Sequence, residues 1–154
     1  MPINTLKEYL DLHNVEYITI GHSRAFTAQT IAASAHIRGK ELAKSVIVKV
    51  DGKMAMVVLP ASYRVNLGEL KTATGADKVE IAHEYEFKEK FPDCEVGAMP
   101  PFGNLYGIDV YVAKSLAEDE EIAFNACSHT LLIKMKYKDF DHLVKPKTLL
   151  FSAK

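Results

Sequence analysis

The chain has 154 residues, 48% of them hydrophobic and 25% charged, and its 19 Lys and Arg against 20 Asp and Glu give a formal net charge of -1. That balance predicts one globular domain over residues 1–154 with apolar mass enough for its own core, and it excludes the broad basic field that holds duplex DNA. Apolar runs such as "MVVLPA" are too short to cross a bilayer, no repeat occurs, and "MPINTLKEYLDLHN" lacks the pattern of a signal peptide. With two cysteines only, Cys94 and Cys127, the sequence reads as that of a reduced, cytoplasmic protein.

Leu6, Tyr9, Leu10 and His13 fall at helical spacing behind Asn4 and Thr5, which predicts an opening helix capped by those two polar residues. "EYITI" alternates as a strand. "FTAQTIAASAHIRG" predicts a helix with Thr27 as cap and Gly39 as stop. "KSVIVKVDGKMAMVVLP" reads as a hairpin, because Asp51-Gly52 accepts the positive φ angles of a tight turn between two β-rich runs. "NLGELKTATG" and "AHEYEFKEKF" predict short helices, and "GIDVYVA", "EIAFNA" and "TLLIKMKY" predict strands. In the last of these Leu131, Ile133, Met135 and Tyr137 share one face, and Lys134, Lys136 and Lys138 the other. The fold class is α/β (α+β): a mixed, largely antiparallel β-sheet surrounded by short helices.

The stretch "GAMPPFGNLYG", Gly97 to Gly107, connects a charged helical segment to an apolar strand. Two adjacent prolines remove two amide donors and stiffen the backbone, while Gly97 and Gly103 permit conformations and close approaches that a side chain blocks. A rigid loop with bare backbone at both ends can hold a ligand's carbonyl, and oriented N–H groups there can stabilise charge developing on oxygen. In an arbitrary chain the same residues would only end the flanking elements.

Three motifs together give the sequence its resemblance to a known family. "GAMPPFG" is similar to a glycine, three variable residues, then Pro-x-Gly, at Gly97, Pro101 and Gly103; "AKSVIVKVDG" supplies a lysine opening a strand, Lys44; and "ACSHT" a late histidine, His129. "HSRAFTAQTIA" adds an early His-x-x-x-aromatic-Thr segment at His22, Phe26 and Thr27. In this order the chain resembles the YbaK-like, prolyl-tRNA synthetase editing-domain family of aminoacyl-tRNA deacylases. The resemblance implies the fold of that family and hydrolysis of the ester joining a wrongly attached amino acid to the 3′ end of a transfer RNA. It implies that the glycine loop positions the scissile carbonyl, that the neighbouring ribose hydroxyl assists the water, and that Lys44 holds the terminal nucleotide. It further implies a catalytic set of Lys44, Gly97, Pro101, Gly103 and His129, and a substrate-binding set of His22, Phe26, Thr27, Met99 and Phe102. The loop is expected to border the main pocket, with Lys44 and His129 opening onto it.

No cofactor is implied, and the partners are the aminoacyl-tRNA 3′ end and an aminoacyl-tRNA synthetase, with neither membrane nor DNA among them. A pocket lined by Met99, Phe102 and Phe26 favours a small amino acid, among which alanine, cysteine and serine stay open. The six histidines show neither close pairing nor cysteine clusters, so no metal site is expected. Cys94 and Cys127 read as small core residues. Cys127 and His129, two apart in an extended segment, would point in parallel and are poorly placed to act as thiol and base. The alternative is a non-catalytic module of the same fold that binds tRNA or a synthetase.

Overall fold

The computed structural model describes residues 3–21, 42–91, 94–95 and 97–153. The opening helix α1 spans Ile3–Leu12 and buries Leu6 and Leu10. It begins at Ile3, so Asn4 and Thr5 lie within its first turn. Strand β1, Tyr17–Gly21, follows. The expected helix after it, with Thr27 and Gly39, lies outside the described residues.

The hairpin forms as its sequence dictates. Strands β2, Leu42–Val50, and β3, Lys53–Pro60, pair antiparallel from Ala43↔Pro60 to Val50↔Lys53. Asp51 and Gly52 take φ +52° and +82°, the left-handed pair that a two-residue turn requires. The Asp51 carboxylate is itself used: it accepts the backbone N–H groups of Asp77 and Lys78 at 3.0 and 2.9 Å, tying the turn to a distant segment. Helix α2, Leu67–Thr74, is bounded by Asn66, whose side chain accepts the Glu69 N–H, and by Gly75 in the left-handed conformation. Beyond β4, Arg64–Val65, and β5, Val79–Ile81, the second predicted helix is cut to Glu84–Phe87, α3, continued by a 3-10 turn over Lys88–Lys90.

The remaining elements are β6, Asp109–Ala113; α4, Lys114–Ala117; β7, Glu121–Asn125; β8, Leu131–Lys136; α5, Tyr137–Val144; β9, Lys147–Leu149; and β10, Ser152–Ala153. The main sheet runs β1-β8-β7-β2-β3-β6-β9, with β5 alongside β2, and β10 pairs with β4 in a separate ribbon. Antiparallel pairing prevails, and β2·β7, β3·β6 and β6·β9 are parallel. The fold is the expected mixed α/β domain. One expected pattern changes: β8 stops at Lys136, Tyr137 opens α5, and Lys138 stands on that helix. Lys134 is half-buried beside Glu121 at 3.6 Å, so Lys134, Lys136 and Lys138 do not form one solvated strand face.

Alternation along β2 sorts the sheet into two faces. Ala43 and Ile47 join Met56, Val58, Val112, Phe124 and Ile133 in the larger core, to which α1 and α5 add Leu6, Leu10 and Phe140. Val48 joins Val57, Leu59 and Phe151 on the opposite side. No described helix is long and apolar enough to cross a membrane.

Candidate functional site

The connection from Cys94 to Gly107 crosses the larger core and meets the turn between β7 and β8. Gly97 takes φ +83°, a conformation that favours glycine, and a Cβ built there would lie 3.4 Å from Cε1 and 3.7 Å from Nε2 of His129. The loop and the turn are laced together at the backbone. Glu95 N–H donates to the Cys127 carbonyl at 3.0 Å, Ala98 N–H to the Glu95 carbonyl at 3.0 Å, and Cys127 N–H to the Ala98 carbonyl at 2.9 Å. The Glu95 carboxylate accepts the His129 N–H at 2.7 Å. Within the turn, the hydroxyls of Ser128 and Thr130 meet at 2.9 Å, and the Ser128 hydroxyl accepts the Thr130 N–H at 3.1 Å.

A disulfide joins Cys94 to Cys127 across the same junction. This corrects the reading of the two cysteines as separate core residues and of the chain as wholly reduced; paired cysteines carry no argument about compartment. Cys127 stands at φ +66°, so the segment from Cys127 to His129 is a turn and not the expected extended run. Bonded to Cys94, Cys127 offers no thiol for nucleophilic attack.

The stretch from Ala98 to Gly103 is buried. Phe102 is fully buried, with ring centroids 5.6 Å from both Phe124 and Phe140 and 6.2 Å from Tyr9. Met99 is buried in the same cluster, and Pro100 and Pro101 are buried beside it. The described contacts seat Met99 and Phe102 in the larger core, where Tyr9 of α1, Phe124 of β7 and Phe140 of α5 enclose the Phe102 ring. Gly103 is small for packing. A Cβ there would come within 2.7 Å of Val110 Cγ2 and 3.0 Å of Ile108 Cγ1. Its bare backbone meets the protein's own core, so the glycine that faces the candidate site is Gly97.

Lys44 lies opposite Leu59 in register, on the side of the sheet away from the cluster that takes in Met99 and Phe102. Burial, together with the nearby charge of Arg64, pushes its ammonium below the ordinary lysine range. Such a partly desolvated cation, with a second positive charge close by, favours an anionic ligand such as a phosphate. Of the predicted set, the structure brings Gly97 beside His129, where a Cβ on the glycine would fall 3.4 Å from the imidazole Cε1. His22, Phe26 and Thr27 lie outside the described residues. Glu95 escaped the sequence reading, and its only signal there was a carboxylate two residues ahead of Gly97.

A cleft of about 550 Å³ lies elsewhere and is lined by Asp119, Lys136, Tyr137, Lys138, Asp141 and Thr148. Its lining takes in no residue of the Gly97 loop. Burial and the Asp141 charge push the Tyr137 hydroxyl there up to about 12. The described residues contain no cluster of His, Cys, Asp and Glu that could hold a metal ion.

Fold and loop together define a mixed α/β domain in which a glycine connection is pinned to a histidine turn. The sequence profile of the aminoacyl-tRNA editing domain matches residues 22–143, and the chain belongs to that family. It is 31% identical over 100 residues to a proline–tRNA ligase of Bacillus mycoides (strain KBAB4), and equally to one of Bacillus cereus (strain AH187). Each match takes in 65% of this chain but 17% of the ligase, so the chain corresponds to a minor part of those relatives' length. Among solved structures it is similar to hypothetical protein APE2540, with a TM-score of 0.82 at 20% identity over 96% of this chain and 99% of that one. It is also similar to a protein described as a candidate trans-editing enzyme for prolyl tRNA synthetase, with a TM-score of 0.83 at 15% identity over 99% of this chain and 97% of that one. At these identities the structural likeness speaks for the fold.

Proposed function

We propose that the protein is a trans-editing hydrolase that cleaves the ester between a wrongly attached small amino acid, such as alanine, cysteine or serine, and the 3′ end of a transfer RNA. The observation that carries this reading is the approach of Gly97 to the His129 ring, on a loop fixed by cross-bonds on both sides. Water attacks the ester carbonyl carbon, charge builds on the carbonyl oxygen, and the C–O bond to the ribose then breaks, its oxygen taking up a proton. A preorganised backbone lowers this barrier by holding the carbonyl in place and by meeting the developing charge with fixed dipoles. The free hydroxyl of the terminal ribose assists the water, so the chain needs no strong acid or base of its own. Gly97 and the turn bearing His129 orient the carbonyl. Lys44 holds the phosphate or ribose of the last nucleotide, a role its low-lying ammonium and its Arg64 neighbour support. Pro101 and Gly103 act from behind, by stiffness and close packing. His22, Phe26 and Thr27, with Met99 and Phe102, keep the substrate-binding role that the family resemblance implies. A size filter of this kind separates substrates by about 1–3 kcal/mol per methylene.

Incubating the protein with a panel of transfer RNAs charged with matched and mismatched amino acids tests the reading. Release of small amino acids from mismatched transfer RNA is the expected result. Tight binding of charged 3′ ends without hydrolysis of any would replace it with the non-catalytic module.

A further inference from the structure

We infer that Glu95 is a positioning residue for the His129 turn, an inference that rests on the editing reading above. Its carboxylate Oε2 accepts the His129 backbone N–H at 2.7 Å, the short end of the range for a hydrogen bond to a charged acceptor. The bond spans 34 residues of sequence. This cross-tie between loop and turn depends on a side chain. The remaining ties, from Glu95 N–H to the Cys127 carbonyl and from Cys127 N–H to the Ala98 carbonyl, are backbone bonds that survive a change of side chain. The disulfide from Cys94 to Cys127 holds the neighbouring residues as well. Removing the carboxylate therefore takes away this hold on the His129 backbone, while the backbone bonds and the disulfide keep the junction closed.

The consequence is local. His129 follows Cys127 and Ser128 out of a left-handed residue, and its imidazole lies against Gly97, whose missing side chain leaves the ring its place. Peptide orientation at residue 129 sets where that ring sits over Gly97, and Glu95 fixes the peptide. Glu95 thus acts through His129 and not on the ester.

Glu95→Ala and Glu95→Gln in the full chain, compared with the parent, decide the matter. Misplacement of a positioned group can cost ~10²-fold in rate, so Glu95→Ala is expected to lower kcat for deacylation by about that factor while KM stays within about threefold. Glu95→Gln keeps an acceptor oxygen and is expected to recover to within about tenfold of the parent. The amide proton resonance of His129 is expected to move upfield in Glu95→Ala and to an intermediate place in Glu95→Gln. Parent-like kinetics in Glu95→Ala, equal losses in both variants together with a lowered Tm, or an unmoved His129 resonance would each overturn the assignment. If the parent hydrolyses none of the charged transfer RNAs the editing reading fails by itself, and the His129 resonance still tells whether Glu95 holds the turn.

Discussion

Gly97 and His129 are in contact range through the absence of a side chain: at φ +83°, the place a Cβ would occupy lies 3.4 Å from the imidazole Cε1. Gly97→Ala therefore forces a left-handed conformation that costs an L-residue roughly 1–2 kcal/mol and sets a methyl group against the ring, between it and a ligand. Deacylation is expected to fall at least tenfold, with Tm lowered by only a few degrees. A Gly97→Ala variant with parent kinetics would remove Gly97 from the site.

Gly103→Ala separates the two glycines. The added methyl would sit 2.7 Å from Val110 Cγ2 and 3.3 Å from the Ile108 carbonyl, and overpacking of this kind costs roughly 1–3 kcal/mol. The expected outcome is a lowered midpoint in chemical denaturation, with kcat per folded molecule near that of the parent. Parent-like stability with lost turnover would return Gly103 to the ligand side.

Lys44 carries a prediction about pH. Because burial and Arg64 lower its pKa below the unfolded value of 10.5, the charged form is disfavoured in the folded chain. It opposes folding below its folded pKa, and that opposition fades as pH rises through the folded pKa toward 10.5. Lys44→Met is thus expected to melt at or above the parent temperature at pH 7 while losing about 10²-fold in deacylation through poorer positioning of the nucleotide. The alkaline limb of kcat/KM in the parent should fall below the ordinary lysine range and move up in Lys44→Arg. A Lys44→Met variant that keeps full activity would assign the lysine to the wrong residue.

The cystine makes a further pair of expectations. Closing a loop of 33 residues contributes about 3–4 kcal/mol in the chain-entropy account, so a Cys94→Ala/Cys127→Ala double variant is expected to unfold at clearly lower denaturant. It should keep measurable deacylation. Complete loss of turnover in a folded double variant would indicate thiol chemistry.

The parts of the fold legible in the sequence are those whose signals are local. Asp51-Gly52 announces its hairpin because two adjacent left-handed residues are needed there, and Asn66 with Gly75 frames α2 because both ends of a short helix need partners. The site was legible as motifs but not as contacts. Nothing near Phe102 in sequence tells that Phe124 and Phe140 enclose it, and nothing near Glu95 tells that His129 is its partner. Helix α5 went unread because Tyr137 continues the alternation of β8 by one residue before the backbone turns. Cys127 misled for the same reason, since alternation presumes an extended chain and its φ is +66°.

The pairing of β2 with β7 has a consequence for how the molecule comes into being. Leu42 lies beside Ala123 in a parallel register, so the edge of β2 that receives β7 must wait while some eighty further residues are made. Strands joined over such distances form late, because loop closure is met before any contact rewards it. The β2–β3 hairpin can close early and β5 then covers Val48–Val50, yet the Leu42–Ala43 end of that edge stays open until β7 arrives. Loop and histidine turn, one on each side of β6, become neighbours in that same last step, so a nascent chain short of β8 holds neither a completed sheet nor a working junction.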